Sequence, residues 1–424
     1  MITSGLYQAS IRLLGSILAS PGAADAHMDR FFRSEPKLGT ADRGTIAELV
    51  YGTLRRHRLL TTIAHSEAPA AVLAAYLAAE SGYNARQLRA LGVADPDGLI
   101  AAARRPRADY PFAIRASLPD WFAEDLLALL GPAEAAALAE SLLAPAPLDL
   151  RCNTLKTDRA ALQAALARAG HELHAAPLSP WGLRRTSRAG LFRTAEFAAG
   201  HFEIQDEGSQ LIAPLLEPRR GERVVDYCAG AGGKTLHIAA LLTNTGTIYA
   251  CDTAQRRLDR LRERAARAGC DNLRILTLSG STDTRLKRLH GKIDRVLVDA
   301  PCSGTGTLRR SPDIKWRLDA QRVARLAHEA GQILADAARL VRPGGRLVYA
   351  TCSLLPAENE DVITAFLASH PEFTALDTPA ILARRAIPLP AGGEGPGLRL
   401  WPHRHGTDGF YAQALERIAT PPRS

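Results

Sequence analysis

Four short apolar runs in the second half of the chain restrict its fold more than any other feature. Each ends in an acid or a cysteine and is followed by a turn: 223–228, 247–251, 295–299 and 346–352. Runs this short, bounded by glycine and proline, read as strands buried on both faces, as parallel sheets require. A further run, 273–277, and helical stretches at 233–242, 254–269 and 318–341 complete a strand–helix alternation. That alternation predicts an α/β fold with a doubly wound, Rossmann-like parallel sheet. The runs 398–401 and 409–415, around His405-Gly406-Thr407-Asp408, predict a closing antiparallel hairpin. Ligands of such sheets bind at the carboxyl ends of the strands. Asp299 and Cys302 of the stretch RVLVDAPCSGTG, and Cys352 of RLVYATCS, are therefore delivered to one candidate site.

The chain ahead of the sheet differs in character. Residues 1–105 read as an all-helical domain, with Leu6, Ile11, Leu14, Ile17 and Leu18 on one face. A helix over 43–64, capped by Thr40 or Asp42, buries Ile46, Leu49, Val50, Leu54, Leu59 and Ile63. Its other side carries Arg43, Arg55, Arg56, His57 and Arg58, which is either a solvated face or a patch facing RNA phosphates. Three prolines within 104–119 mark a boundary. Residues 119–205 mix helices with a strand candidate at 148–155 and form a small α+β domain. Residues 206–424 form the catalytic domain.

The net charge of +9 favours a polyanionic partner. Six cysteines, at 152, 228, 251, 270, 302 and 352, include no CxxC pair and no zinc spacing. Neither a metal site nor a disulfide framework is expected, and thiols kept for chemistry belong in a reducing compartment, the cytoplasm. No basic leader or apolar run long enough for a bilayer is evident, so no membrane association is expected.

The first strand–helix turn is Asp226-Tyr227-Cys228-Ala229-Gly230-Ala231-Gly232-Gly233-Lys234-Thr235. Glycines here allow a ligand close to backbone at a helix N-terminus. A Walker loop needs glycine where Cys228 stands, and a dinucleotide fingerprint needs glycine where Thr235 stands, so neither fits. Asp252 ends the next strand, where an acid bonds ribose hydroxyls or merely caps a helix. The ribose role fits any adenosine cofactor, S-adenosylmethionine (SAM) included.

Taken together, DYCAGAGGKT, DAPCSGTG, RRSPDIKW and YATCS resemble the Nop/Sun family of SAM-dependent RNA cytosine-5 methyltransferases, nearest its RsmB branch. The segments LRCNTLK (150–156) and IQDEGS (204–209) resemble those leading into that family's catalytic domain, and 43–60 resembles its NusB-like RNA-binding helical domain. The resemblance implies a monomeric enzyme acting on ribosomal RNA, most simply small-subunit RNA, with SAM as cofactor. It implies SAM contacts from Cys228, Ala229, Gly230, Ala231, Gly232, Gly233, Lys234, Asp252 and Asp299. The family loop usually has Ala-Pro where Gly230-Ala231 stand, and an aspartate where Ser279-Gly280-Ser281 stand, with Asp283 nearby.

Carbon-5 of cytosine is a poor nucleophile until a thiolate adds at carbon-6, which is work suited to cysteine. Asp299, as an acid, stabilises the charge that then builds at ring nitrogen 3. By resemblance Cys352 attacks and Cys302 assists breakdown of the adduct; DNA methyltransferases attack instead from a Pro-Cys cysteine, the place of Cys302. Lys234 is expected between cofactor and base, and Arg309, Arg310, Lys315 and Arg317 against phosphate, with Trp316 packing or stacking. Two other classes compete: a catalytically silent RNA-binding assembly or antitermination factor, and a nicotinamide oxidoreductase. The intact thiols argue against the first, and the missing third glycine against the second.

Overall fold

The computed structural model describes residues 2–20, 22–185, 190–280, 283–389 and 395–419. The chain divides into two compact units, Met1–Pro145 with Thr307–Ala320, and Ala146–Gly306 with Gln321–Ser424.

The second unit holds two sheets. The smaller contains β1 (Leu148–Cys152), β2 (His174–Ala175), β3 (Gly182–Arg185) and β4 (Phe202–Ile204), antiparallel in the order β2-β3-β1-β4. The larger begins with parallel strands β5 (Arg223–Asp226), β6 (Thr247–Asp252), β7 (Leu273–Thr277), β8 (Ile293–Asp299) and β9 (Val341–Thr351). It continues with β10 (Phe373–Ala375), β11 (Leu398–Leu400) and β12 (Phe410–Arg417), the last antiparallel to β9, β10 and β11. The order is β10-β12-β9-β8-β5-β6-β7, so the doubly wound sheet and its closing hairpin are both present. Successive side chains of a strand face opposite sides. Val225, Val296, Val298, Leu347 and Tyr349 pack on one side with Leu334, Ile363 and Phe366. Val224, Leu297, Val348 and Ala350 pack on the other with Leu211, Ile238 and Leu242. The strand order reverses between β5 and β8, which opens a crevice at their carboxyl ends.

The first unit is helical. The expected helix over 43–64 is two, Thr40–Arg55 and His57–Ala64, with Asp42 accepting from the Gly39 amide (3.1 Å) at the start. The break leaves orphan carbonyls at the end of the first helix. Residues 307–320 satisfy them: Lys315 Nζ donates to Arg55 O (2.7 Å) and Trp316 Nε1 to Leu54 O (3.3 Å). Asp313 Oδ2 in turn accepts from Ala24 N (3.1 Å) at the start of the helix Ala24–Ser34, and from Arg317 (2.6 Å).

These contacts correct two expectations. Lys315 and Arg309 are buried, Arg317 is paired, and Trp316 is bonded to a helix end, so these four serve a structural strap rather than phosphate contacts, while Arg310 is half-buried. The basic side of the broken helix is half-buried and its arginines are paired within the unit. Arg55 donates to Arg309 O (3.0 Å), Arg56 pairs with Glu80 (2.9 Å), and Arg58 pairs with Asp120 (2.8 Å). A run of arginines says nothing about which backbone carbonyls need donors, and here those carbonyls claimed them. The apolar helix Asp120–Leu143 is broken at Gly131-Pro132, where Gly131 takes φ 72°, so neither half reaches the ~20 residues that cross a bilayer.

Burial, with Arg55 and Arg56 beside it, pushes the Lys315 ammonium down to about 7 from 10.5. Below the folded value the group is charged in both states and its burial cost is fully present. Between the two values only the unfolded chain holds the proton, so stability rises with pH; above 10.5 the cost is absent. Lys315→Met removes that dependence and one hydrogen bond. The stability of the variant relative to wild type is expected to fall by about 2–4 kcal/mol between about pH 6.5 and 9.5. Urea denaturation across that range checks it, and a constant difference contradicts it.

Candidate active site

The crevice holds a cavity of about 710 Å³, within the range of cofactor sites. It is lined by Asp226, Cys228, Ala229, Gly230, Ala231, Gly233, Lys234, Asp252, Asp299, Cys302 and Cys352, and so gathers nearly every residue singled out in the sequence.

The glycine loop is set by its neighbours. Asp252 Oδ2 accepts from Gly230 N (2.8 Å) and its Oδ1 from Ala254 N (2.7 Å), so this acid braces the loop as well as facing the cavity. Arg264 donates to Ala231 O (2.6 Å) and Arg151, from the small sheet, to Gly233 O (3.1 Å). Gly232 does not line the cavity. It has φ 86°, and a Cβ there would lie 2.1 Å from Leu261 Cδ1, so its glycine serves helix packing. Asp283 also stays away: it accepts from Arg285 N (3.0 Å) and Ser279 N (3.3 Å) in its own turn, while Gly280 reaches the cavity; Ser281 lies outside the described residues.

Asp226 is a site residue whose chemistry was not read from sequence. It is buried, its Oδ2 accepts from Thr235 Oγ1 (2.7 Å), and its Oδ1 has no partner. Burial lifts its carboxyl to about 7, against the Thr235 hydrogen bond. An orphaned buried carboxylate on a cavity wall calls for a cationic ligand group, and SAM carries an ammonium and a sulfonium. Among the described residues no group of three or more histidines, cysteines or acids is arranged for a metal ion.

At the other side of the cavity Cys302 Sγ and Cys352 Sγ lie 3.5 Å apart, both as free thiols. The hydrogen bond to Cys352, then burial, holds the Cys302 thiol well above its ordinary value. Either sulfur can donate in this contact. Lys234 Nζ donates to Asp299 Oδ2 at 2.6 Å and lies 5.4 Å from the Phe410 ring centroid. Burial works against the Lys234 ammonium, but the charge and hydrogen bond of Asp299 outweigh it, and its affinity for the proton is raised.

The two thiol loops are tied by a residue that carries little signal in the sequence. Glu358, fully buried, accepts from Ser303 N (2.7 Å) and Ser303 Oγ (2.5 Å) after Cys302, and from Ser353 Oγ (2.5 Å) after Cys352. Thr305 Oγ1 accepts from Leu354 N (2.9 Å), and Cys352 O from Gly306 N (2.8 Å). The only sequence signal of Glu358 is an acid five residues past Ser353. Gln205 and Ser209, also on the cavity wall, lay in the stretch 204–209 without a site role being read from it, and Glu329 had no signal.

The family model described as 16S rRNA methyltransferase RsmB/F matches residues 213–416, and its ferredoxin-like domain matches 118–189. A Bacillus subtilis protein, "Probable ribosomal RNA small subunit methyltransferase B", is 33% identical over 333 residues, 78% of this chain and 72% of its own. A Mus musculus protein, "28S rRNA (cytosine-C(5))-methyltransferase", is 32% identical over 78% of this chain and 43% of its own. The crystal structure of PH0851 is similar over 98% of this chain and 99% of its own, with a TM-score of 0.79 and 26% identity.

Removing Glu358 strands three buried donors, each costing about 1–3 kcal/mol. Glu358→Ala is expected to lower unfolding free energy by about 3–6 kcal/mol, measured by chemical denaturation. A loss below about 1 kcal/mol contradicts the tie between the loops.

Proposed function

Since the chain belongs to the RsmB/F family of 16S rRNA methyltransferases, we propose that it methylates carbon-5 of a cytosine in small-subunit ribosomal RNA. In this reading the methyl donor is SAM and the reaction passes through a covalent bond between Cys352 and carbon-6. The observation that carries the reading is the thiol pair at 3.5 Å beside the Lys234–Asp299 pair. A binding factor or a hydride-transfer enzyme has no use for that arrangement.

SAM supplies an electrophilic methyl group when bound. Asp226 would hold its cationic amino-acid end, Asp252 its ribose hydroxyls through lone pairs left over from Gly230 and Ala254, and the loop 228–234 its length. The target cytosine, unpaired or flipped out, meets the opposite wall. The Cys352 thiolate adds to carbon-6, and charge builds at ring nitrogen 3. Asp299 meets that charge as an acid, held in place by the Lys234 ammonium 2.6 Å away. Carbon-5, so activated, would take the methyl group that bound SAM supplies, the bonding pair staying with the donor. Loss of the carbon-5 proton to a base re-forms the ring double bond and expels Cys352. Cys302 stands next to the bond that breaks and assists this step.

Tritiated SAM and unmodified small-subunit RNA transcript test the reading. Wild type is expected to transfer label, Cys352→Ala to transfer none (at least about 10³-fold less), and Cys302→Ala to accumulate a protein–RNA adduct that survives denaturing electrophoresis. No transfer by wild type to any ribosomal transcript or subunit contradicts the enzyme reading. An adduct with Cys352→Ala instead reverses the two thiols.

A further inference from the structure

At the end of the large sheet opposite the thiols, where β8 and β9 begin and β12 finishes, lies a second cavity of about 320 Å³. Arg346 on its wall precedes Cys352 by six residues along β9, about 20 Å at the rise of a strand. Arg219, Arg295, Arg342, Arg346 and Arg385 line it, against only two carboxylates, Glu217 and Glu416.

The ion pairs do not balance this charge. Glu222 binds Arg295 through two bonds (2.9 and 3.0 Å), Asp294 binds Arg342 (2.6 Å), and Glu217 binds Arg346. Arg385 makes no side-chain hydrogen bond or ion pair among the described residues; its Nε is shut off from water with no acceptor. Arg346, 7% exposed, also has an Nε without an acceptor. Buried donors are nearly always satisfied, so two guanidinium groups each short of an acceptor on one cavity wall leave positive charge there for an anion to meet. Burial, with Arg346 and Arg295 beside it, presses Arg385 below its ordinary value, against the charge of Glu217.

Guanidinium forks match tetrahedral oxyanions, and the volume takes a phosphate with an adjoining sugar. We propose that this cavity is a phosphate-binding site in which Arg385 and Arg346 hold a phosphodiester of the RNA backbone, remote from the reacting base. A free phosphate ion has the same chemistry, and the test separates the two. The RNA assignment rests on the function proposed above; the anion site itself does not.

Arg385→Gln removes the charge while breaking no bond of the fold, and Arg385→Lys restores the charge. Thermal unfolding in inorganic phosphate is compared with chloride at equal ionic strength, since general salt stabilisation acts on all variants alike. Wild type is expected to show a phosphate-specific rise in Tm that Arg385→Gln lacks. For the RNA transcript, Arg385→Gln is expected to raise KM about three- to tenfold with kcat unchanged, and to reduce the salt slope of RNA binding by about 0.7–0.9, a slope that Arg385→Lys recovers. Loss of the phosphate response with RNA affinity and slope unchanged overturns the RNA assignment in favour of a free anion. Equal behaviour of wild type and Arg385→Gln in both assays overturns the site. Binding slopes and Tm are readable even if no methyl transfer occurs, so failure of the enzyme reading is seen separately.

Discussion

One buried carboxylate makes the thiol pair possible. β8 and β9 are neighbours, but past Asp299 and Thr351 they leave the sheet, and no ladder fixes the spacing of the two loops beyond them. Glu358 joins the direct bonds Gly306 N to Cys352 O and Leu354 N to Thr305 Oγ1 in fixing that spacing, by accepting from Ser303 on one loop and Ser353 on the other. The closing hairpin adds a further constraint: Gly409 N donates to Gly306 O (2.9 Å), and a Cβ at Gly306 would lie 2.2 Å from Gly409 O. With both loops held, Cys302 and Cys352 stand at hydrogen-bond distance without a covalent bond. A buried acid is expensive unless every lone pair is used. Its burial raises the Glu358 carboxyl, and the Ser303 and Ser353 hydrogen bonds work against that rise.

The sheet was legible because parallel strands buried on both faces must be continuous apolar runs, and those of β5, β6, β8 and β9 are bounded by glycine, proline or an acid. Most of the cavity wall came from the same fact, since the acids and thiols stood at the carboxyl ends. The features that stayed hidden depend on partners distant in sequence. Glu358 looks like any acid near a helix start until Ser303, 55 residues earlier, is placed beside it. Asp226 looks like a strand terminus until its unpartnered Oδ1 is seen on the cavity wall. Gly232 was assigned to the ligand because glycine permits close approach, and the approach proved to be that of Leu261.

Positive charge misled for a related reason. Lys315 of the strap read as a phosphate contact, and Arg55, Arg56 and Arg58 as either a solvated face or a patch facing RNA; all are engaged by carbonyls or acids inside the helical unit. Arg151 and Arg264 are likewise struts behind the glycine loop, where their donors fix Gly233 O and Ala231 O. A net charge of +9 is therefore no map of an RNA-facing surface. The informative arginines are those the fold leaves without an acceptor, and Arg385 is one.

The most direct measurement is to find which sulfur becomes bonded to the base. RNA carrying 5-fluorocytosine at the target has no carbon-5 proton to lose, so the adduct cannot collapse after methyl transfer. Protease digestion and mass spectrometry of the trapped complex then locate the modified cysteine. A nucleotide on Cys352, with Cys302 unmodified, is the expected result. A nucleotide on Cys302, or methylated RNA with no adduct on either thiol, contradicts the reading of the site as a nucleophile and its assisting partner.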